Sequence, residues 1–497
     1  MDKTDWPQAP APASAPEYVQ NKYAKPKAGL FLIGCRRFRD MGEGTPRGTY
    51  GERKNRETDA MISHIEEFAE ISFPGIIYER EHAGKAIKKF IADDVDFVIV
   101  QFLSWAEDFM WVRFVRDLPE IPVIFVRPVK TGMDFSNTLE EDDFVEYLAS
   151  GGLVGSLVAS GTIPRTGKLK AGIIVDTQEN VYKKIKLYSV AAKARSVLRR
   201  SFFGMLSGYN ELMWSTYVDP YNFFIKVGPE LKFLSYSELA EEIAGVSDDE
   251  AGIYMNEMIR RYSVLPGVDE KKFLESVRAS VGMANLAAGR QIDALVLNDV
   301  APALFRLIGL RPGFYHEMFN RDLSVVVPEG DAGGALITFV LKLISKKTVN
   351  FIEPFHIEDD KGTFDGGHAG PNDHTDPDWA GNVKIAPDVR FAKTSYKYAG
   401  APFAWYRISP GRKTMAHISE NNGKYKLLCT LIDSLEGEQF ITSYSHGTFR
   451  PLVPSKELFG RIMEIGSTQH FAVVDGDYTQ QLSYFADIMG FDFYNIT

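Results

Sequence analysis

From Lys27 onward the chain alternates short apolar, β-branched runs with longer amphipathic stretches, and no other feature restricts the fold as strongly. AGLFLIG (28–34) is followed by a helix-like segment over 57–71, then by DFVIVQF (96–102) and IPVIFVRP (121–128). Runs that are apolar without alternation read as strands buried on both faces, and such strands separated by helices build a parallel α/β sheet. A second set begins after a loop at 162–168. It comprises KAGIIVD (170–176), a long helical stretch over 182–205, LKFLSYS (231–237), helices through Leu286, DALVLND (293–299) and LSVVVPEGD (323–331). From Phe351 the texture changes to Gly, Pro and Asp with short alternating runs such as YKLLCTLID (425–433) and HFAVVDG (470–476), the pattern of antiparallel strands. The expected fold class is α/β: two Rossmann-like α/β domains with parallel sheets, then a C-terminal β-rich, antiparallel, barrel-like domain. The expected boundaries are a Pro/Ala-rich tail at 1–27 and domains at 28–165, 166–347 and 348–497.

Composition narrows the function classes. A chain of 497 residues, 45% hydrophobic and 25% charged, has apolar material for more than one core. Its 56 Lys and Arg against 66 Asp and Glu leave a net charge of −10, which argues against a bulk electrostatic grip on nucleic acid or an anionic membrane. Cys35 and Cys429 cannot form a disulfide framework in so long a chain, so a reducing compartment, most simply the cytoplasm, is expected. The first 27 residues lack an apolar core and read as a disordered or loosely docked tail rather than a signal peptide. No run approaches about 18 uninterrupted apolar residues, and the densest, 334–344, contains Lys342, so no membrane span is expected.

The nucleotide and protease motifs are missing. GEGTPRG (42–48) and GGLVGS (151–156) do not have the G-x-G-x-x-G spacing, and there is no Walker-type loop, H-E-x-x-H, G-x-S-x-G or paired C-x-x-C. Dispersed carboxylates and imidazoles remain. Glu329 follows the apolar run 325–327 and precedes Gly330, Asp331, Gly333 and Gly334, where open α/β sheets present ligand-binding groups. Glu353 lies in VNFIEPF, His368 in the Gly-rich FDGGHAGPN, and His470 opens HFAVV. Two carboxylates and two imidazoles suit Mn²⁺ or a similar divalent ion, although a solvated turn residue is the plain alternative for Glu329.

Three segments, VVPEGDAGGALITFVLKLIS (326–345), TVNFIEPFHIEDDKGTFDGGHAGP (348–371) and TQHFAVVDGD (468–477), resemble the L-arabinose/L-fucose isomerase superfamily in order and spacing. Weaker similarity runs through 96–112, 151–164 and 293–314. The resemblance implies a metal-dependent aldose–ketose isomerase working through a cis-enediol, with Glu329 and Glu353 as metal-binding carboxylates that also carry the acid/base chemistry. It implies His470 as a further metal ligand and His368 as a group for metal or substrate. Mn²⁺ is the implied cofactor, with Mg²⁺ or Co²⁺ as substitutes. The implied assembly is a homo-oligomer, a hexamer, with active sites shared between subunits. Gln469 departs from the arabinose-type pattern, which has a histidine there, and the loop after the first strand is wholly different.

That loop, CRRFRDMGEGTPRGTYGERKNRE (35–57), reverses the sign of the chain's charge locally. A solvated loop with internal ion pairs is the plain reading. Its place after the first strand supports another, an anionic sugar such as a sulfonated hexose, because arginine forks match oxyanions. Arg36, Arg37, Arg39 and Gln101 are the candidate substrate-binding residues. Rival readings are an isomerase of neutral sugars, a metal-dependent epimerase or lyase, and a non-catalytic sugar-binding protein. His356 and Glu358 read as a strand-edge pair, NDHTDPDW (372–379) as a surface loop, and Trp105, Trp111, Trp379, Trp405 and Tyr406 as packing aromatics.

Overall fold

The computed structural model describes residues 15–133, 139–166, 171–390 and 400–497. These form two compact units, Ala24–Ser196 and Val197–Thr497, the second joined by the described residues up to Tyr23.

In the first unit, β1 (Lys27–Ile33), β2 (Glu70–Ser72), β3 (Phe97–Phe102), β4 (Val123–Val129) and β5 (Ala171–Thr177) form one sheet in the order β2-β1-β3-β4-β5. Every pairing is parallel. All six positions of β3 are buried, Gln101 included, as expected of a central strand covered on both faces. The expected helix at 57–71 instead spans Tyr50–Glu66, because Thr49 and Glu52 form a reciprocal capping box seven residues earlier. The strand at 171–177 pairs with β4, so it completes the first sheet rather than opening a second domain. The break between units accordingly falls after Ser196, not at 165.

Residues 141–165 have the length and mean hydropathy of a membrane span, although Glu141, Asp142, Asp143 and Glu146 interrupt them and no apolar run of that length occurs. Turns divide the stretch into helices Glu141–Ala149, Gly152–Ser160 and Ile163–Thr166, the longest nine residues, and the signal for a span is weak. A nine-residue helix covers only about 13 Å of a hydrocarbon core roughly 30 Å thick. Its glycines explain where it lies. A Cβ on Gly155 would come within 2.5 Å of the Ser104 carbonyl and 2.6 Å of Phe102, so the helix sits directly on β3.

The second unit opens with β6 (Phe202–Leu206), β7 (Glu230–Leu234), β8 (Ser263–Val264), β9 (Ala294–Leu297) and β10 (Val325–Val327). The four-stranded parallel sheet runs β10-β9-β6-β7, which read from its other edge repeats the order of the first four strands of the first sheet. The helix expected through 205 ends at Leu198, and 202–206 is a strand, with Gly204 closely overlain by Leu234 and Ile292.

The remaining strands are β11 (Val349–Glu358), β12 (Thr363–His368), β13 (Lys384–Pro387), β14 (Pro402–Trp405), β15 (Gly411–Asn421), β16 (Lys424–Ser434), β17 (Ser445–Pro451), β18 (Phe471–Asp475) and β19 (Asp492–Asn495). Six of them close an antiparallel barrel, β15-β18-β11-β12-β17-β16, sealed by the β15–β16 pairing. Strand β19 adds beside β16, and β8, β13 and β14 form a small separate sheet.

The helix Ala332–Ser345 is buried through Ile344 and packs on β9 and β10 as well as on barrel strands β11, β15 and β18. Its Lys342 is neutralised by Asp373 at 3.2 Å, inside the segment expected as a surface loop; Asn372 to Thr375 are in fact buried. The tail also departs from expectation, since Glu17–Tyr23 is a helix whose buried Lys22 bonds Ser324 Oγ at 3.0 Å and pairs with Asp293.

Gly155→Ala is expected to cost about 1–3 kcal/mol through overpacking against β3. Chemical denaturation followed by hydrogen exchange in 97–102 checks this, and an unchanged midpoint contradicts the close helix–strand contact.

Candidate metal centre

Glu329, Glu353, His368 and His470 meet at one place in the second unit, each offering a ligand atom within 4.8 Å of the others. Two barrel strands and the residue that leads into a third supply three of them. Glu353 is on β11 opposite Gly367 of β12, His368 ends β12, and the β11–β18 register of Ile352 with Phe471 sets His470 beside Glu353. Glu329 comes from the turn after β10, at the C-terminal edge of the parallel sheet.

That turn is strained. Glu329 adopts φ +63° and Gly330 φ +72°. A left-handed glutamate costs about 1–3 kcal/mol and persists only where its surroundings hold it. Here the Glu329 N–H donates to Asp299 Oδ1 at 2.9 Å, while Arg311 holds the other oxygen, Oδ2, through Nε at 2.9 Å and Nη2 at 2.6 Å. Asp299 is fully buried, so this carboxylate has no solvent alternative to the two partners.

Asp331 links the turn to the barrel. One oxygen caps the helix Ala332–Ser345 by accepting from Gly334 N–H at 2.8 Å, and the other lies 2.8 Å from His470 Nδ1. Cβ atoms at Gly333 and Gly334 would meet the Ile418 carbonyl and the Phe351 ring at 2.8 and 2.7 Å, so the helix end can come this close only as glycine. Phe351 flanks both imidazoles, and His417 Nδ1–H donates to the His470 carbonyl at 2.6 Å, accepting from Thr468 N–H on its other nitrogen.

These bonds define what each imidazole offers. With Nδ1 turned to Asp331, His470 presents Nε2 to Glu329 Oε2 and Glu353 Oε1, both at 3.3 Å. Burial pushes this imidazole down, but hydrogen bonds from Asp331, Glu329 and Glu353 overcome it and hold its pKa well above the ordinary value. Burial likewise raises the Glu353 carboxyl, and His368 and His470 more than reverse it, leaving it below the usual carboxylate range. Three carboxylates around one imidazole demand positive charge at Nε2, which either a proton or a divalent cation supplies. His368 differs. Its Nδ1 accepts Gly370 N–H at 3.0 Å, so the neutral ring carries its proton on Nε2, a buried atom 3.5 Å from Glu353 Oε1 and 3.8 Å from Glu329 Oε1. In this state His368 is a donor aimed into the site, and it would have to release Gly370 to become a ligand.

The structure therefore brings Glu329, Glu353, His368 and His470 together. Gln469 is turned away, onto Met213 Sδ. The other sequence-derived candidates lie in the first unit. Arg36 pairs with Glu79 and Arg37 with Glu107, both exposed; Arg39 lies over Tyr78; Gln101 is buried and bonds Glu57 at 3.3 Å. Sequence reasoning gave no role to Asp331, Asp299, Arg311 or His417. Asp331 had a legible signal, an N-cap residue before an apolar helix, and Asp299 ends a strand just as Glu329 does. A second group, His356, Glu358 and Asp365, sits on β11 and β12 with His356 exposed.

A search of protein-family models and of curated proteins finds nothing that matches this chain.

Asp331→Asn is expected to weaken binding of a divalent ion about 10- to 100-fold by releasing the His470 orientation. Titration with Mn²⁺ followed by its electron paramagnetic resonance signal checks this, and affinity within twofold of wild type removes Asp331 from the site.

Proposed function

We propose that this protein is a divalent-metal-dependent aldose–ketose isomerase, with Glu329, Glu353 and His470 as the metal-holding residues and Mn²⁺ as the preferred ion. The observation that carries the reading is the convergence of two carboxylates on a buried imidazole already oriented by a third carboxylate. The carboxylates are partly open, at 15% and 27% of their side-chain surface, whereas the imidazoles are sealed, so the acids face a reactant and the histidines stand behind them. The buried Nε2 of His368, facing both carboxylates, fits the same arrangement.

Isomerisation moves a proton from C2 of the aldose to C1, with charge developing on the two neighbouring oxygens. A bound divalent ion supplies Lewis-acid stabilisation of those oxygens. The chain supplies the proton carriers. Glu329 and Glu353 approach from different elements, a strained turn and a barrel strand, so one can act as base and the other as acid on a carbon between them. Glu353, held ionised by its imidazole neighbours, needs no proton loss before accepting one. His368 Nε2–H donates to a substrate oxygen. Phe351 and the fully buried His470 exclude water from one side of the site, which strengthens each of these interactions.

A panel of aldoses incubated with Mn²⁺ in deuterium oxide is expected to give a ketose labelled at C1, abolished by chelator. Inversion at C2 or loss of water would indicate an epimerase or a lyase instead, and no turnover of any sugar would favour a binding protein. Glu353→Gln is expected to lower kcat about 10²- to 10⁴-fold. His368→Gln should lower kcat while leaving Mn²⁺ content intact, whereas His470→Gln should lose the metal; the reverse pattern contradicts the assignment of the two histidines.

A further inference from the structure

A second cleft, of about 950 Å³, lies in the first unit. It opens where β3, β4 and β5 end, at Gln101, Arg127 to Val129 and Thr177, the edge at which parallel sheets present ligand sites. Six cationic side chains line it, Arg47, Arg53, Lys54, Arg56, Arg127 and Lys130, against the carboxylates of Glu57, Glu146 and Glu179. Four of these cations already have acidic partners. Arg47 bonds Asp142 and Asp143, Arg53 bonds Asp142 and Glu146, Lys130 bonds Glu146, and Lys54 bonds Glu57 at 2.6 Å.

Arg127 differs. Its Nη2 donates to the Ser150 carbonyl at 3.1 Å, and among the described residues its Nε is buried without a hydrogen-bond partner and its guanidinium feels Glu57 only at a distance, with no ion pair. Its place is built rather than incidental, because a Cβ at Gly152 would collide with Nη1. Burial lowers its pKa, a cost that an anion would remove. Lys54 is more deeply buried than Arg127 and spends one of its three protons on Glu57. Beside them Gln101, 3% exposed, gives its amide N–H to Glu57 at 3.3 Å and leaves its Oε1 buried without a donor. The cleft thus combines cationic donors from separate elements with one acceptor waiting for a hydroxyl.

We propose that this cleft binds a phosphorylated or sulfonated sugar, its oxyanion held by Arg127 and Lys54 and a hydroxyl donated to Gln101. Donors drawn from a strand and from the helix Tyr50–Glu66, rather than from one planar fork, match an oxyanion with three acceptor oxygens better than a carboxylate. The binding stands independently of the chemistry at the metal centre. It also relocates the anion site within the basic segment, from the exposed Arg36, Arg37 and Arg39 to Lys54 and its neighbours.

Calorimetry on the full-length protein with D-glucose 6-phosphate, inorganic phosphate and D-glucose tests it. D-glucose 6-phosphate is expected to bind more tightly than phosphate, and D-glucose at least tenfold more weakly than either. Arg127→Gln is expected to weaken both anions at least tenfold, and Arg127→Lys, which keeps the charge and the fold, to retain part of that loss. Gln101→Leu should weaken only the sugar phosphate. Glu353→Gln and the exposed Arg116→Gln should bind as wild type. No saturable binding of either anion, or Arg127→Gln within twofold of wild type, overturns the proposal. Loss of binding in Glu353→Gln alone would place the anion at the metal centre and overturn it as well.

Discussion

The second unit depends on the carboxylate of Asp331. One oxygen ends a fully buried helix and the other orients a fully buried imidazole, so a single side chain ties the parallel sheet that feeds the helix to the barrel that carries His470. An N-cap is ordinarily worth about 1 kcal/mol, but here its loss would also orphan a buried ring nitrogen, a penalty of about 1–3 kcal/mol more. The glycines that follow serve the same contact, since any side chain at Gly334 would push Phe351 and Asp331 apart.

From that tie the site follows. The barrel register sets Glu353 and His368 on adjacent strands and His470 immediately before the next one, so their relative positions follow from the strand pairing. Glu329 has no such ladder to hold it and is instead forced into a left-handed turn, locked by Asp299 and Arg311. The two acids are thus held by different means, Glu329 by a left-handed turn and Glu353 by the β11–β12 ladder just before its register shifts at Pro354–His356.

The two parallel sheets share a strand order, and both keep charged side chains at their C-terminal edges. They use that edge differently. In the second unit the edge presents carboxylates to imidazoles; in the first it gathers arginines and lysines around a cleft. One strand order therefore carries edges of opposite charge character, set by the loops that leave the strands.

The apolar runs determined the strands, because a segment such as FVIVQF is soluble only when covered on both faces, and the change of texture after Phe351 marked the antiparallel barrel. Glu329, Glu353, His368 and His470 were legible as chemistry-bearing residues in strand-end or Gly-rich contexts. Boundaries were less so: 171–177 looks the same whether it joins the sheet before it or the one after, and only pairing with β4 decides. Periodicity also misplaced the helix ending at Leu198, since Phe202–Leu206 is apolar enough for either state. Tertiary structure alone assigned Asp331, Asp299 and Arg127 their partners. Periodicity records which faces are buried, whereas a hydrogen bond between residues far apart in the chain depends on how the elements stack, which no local pattern encodes.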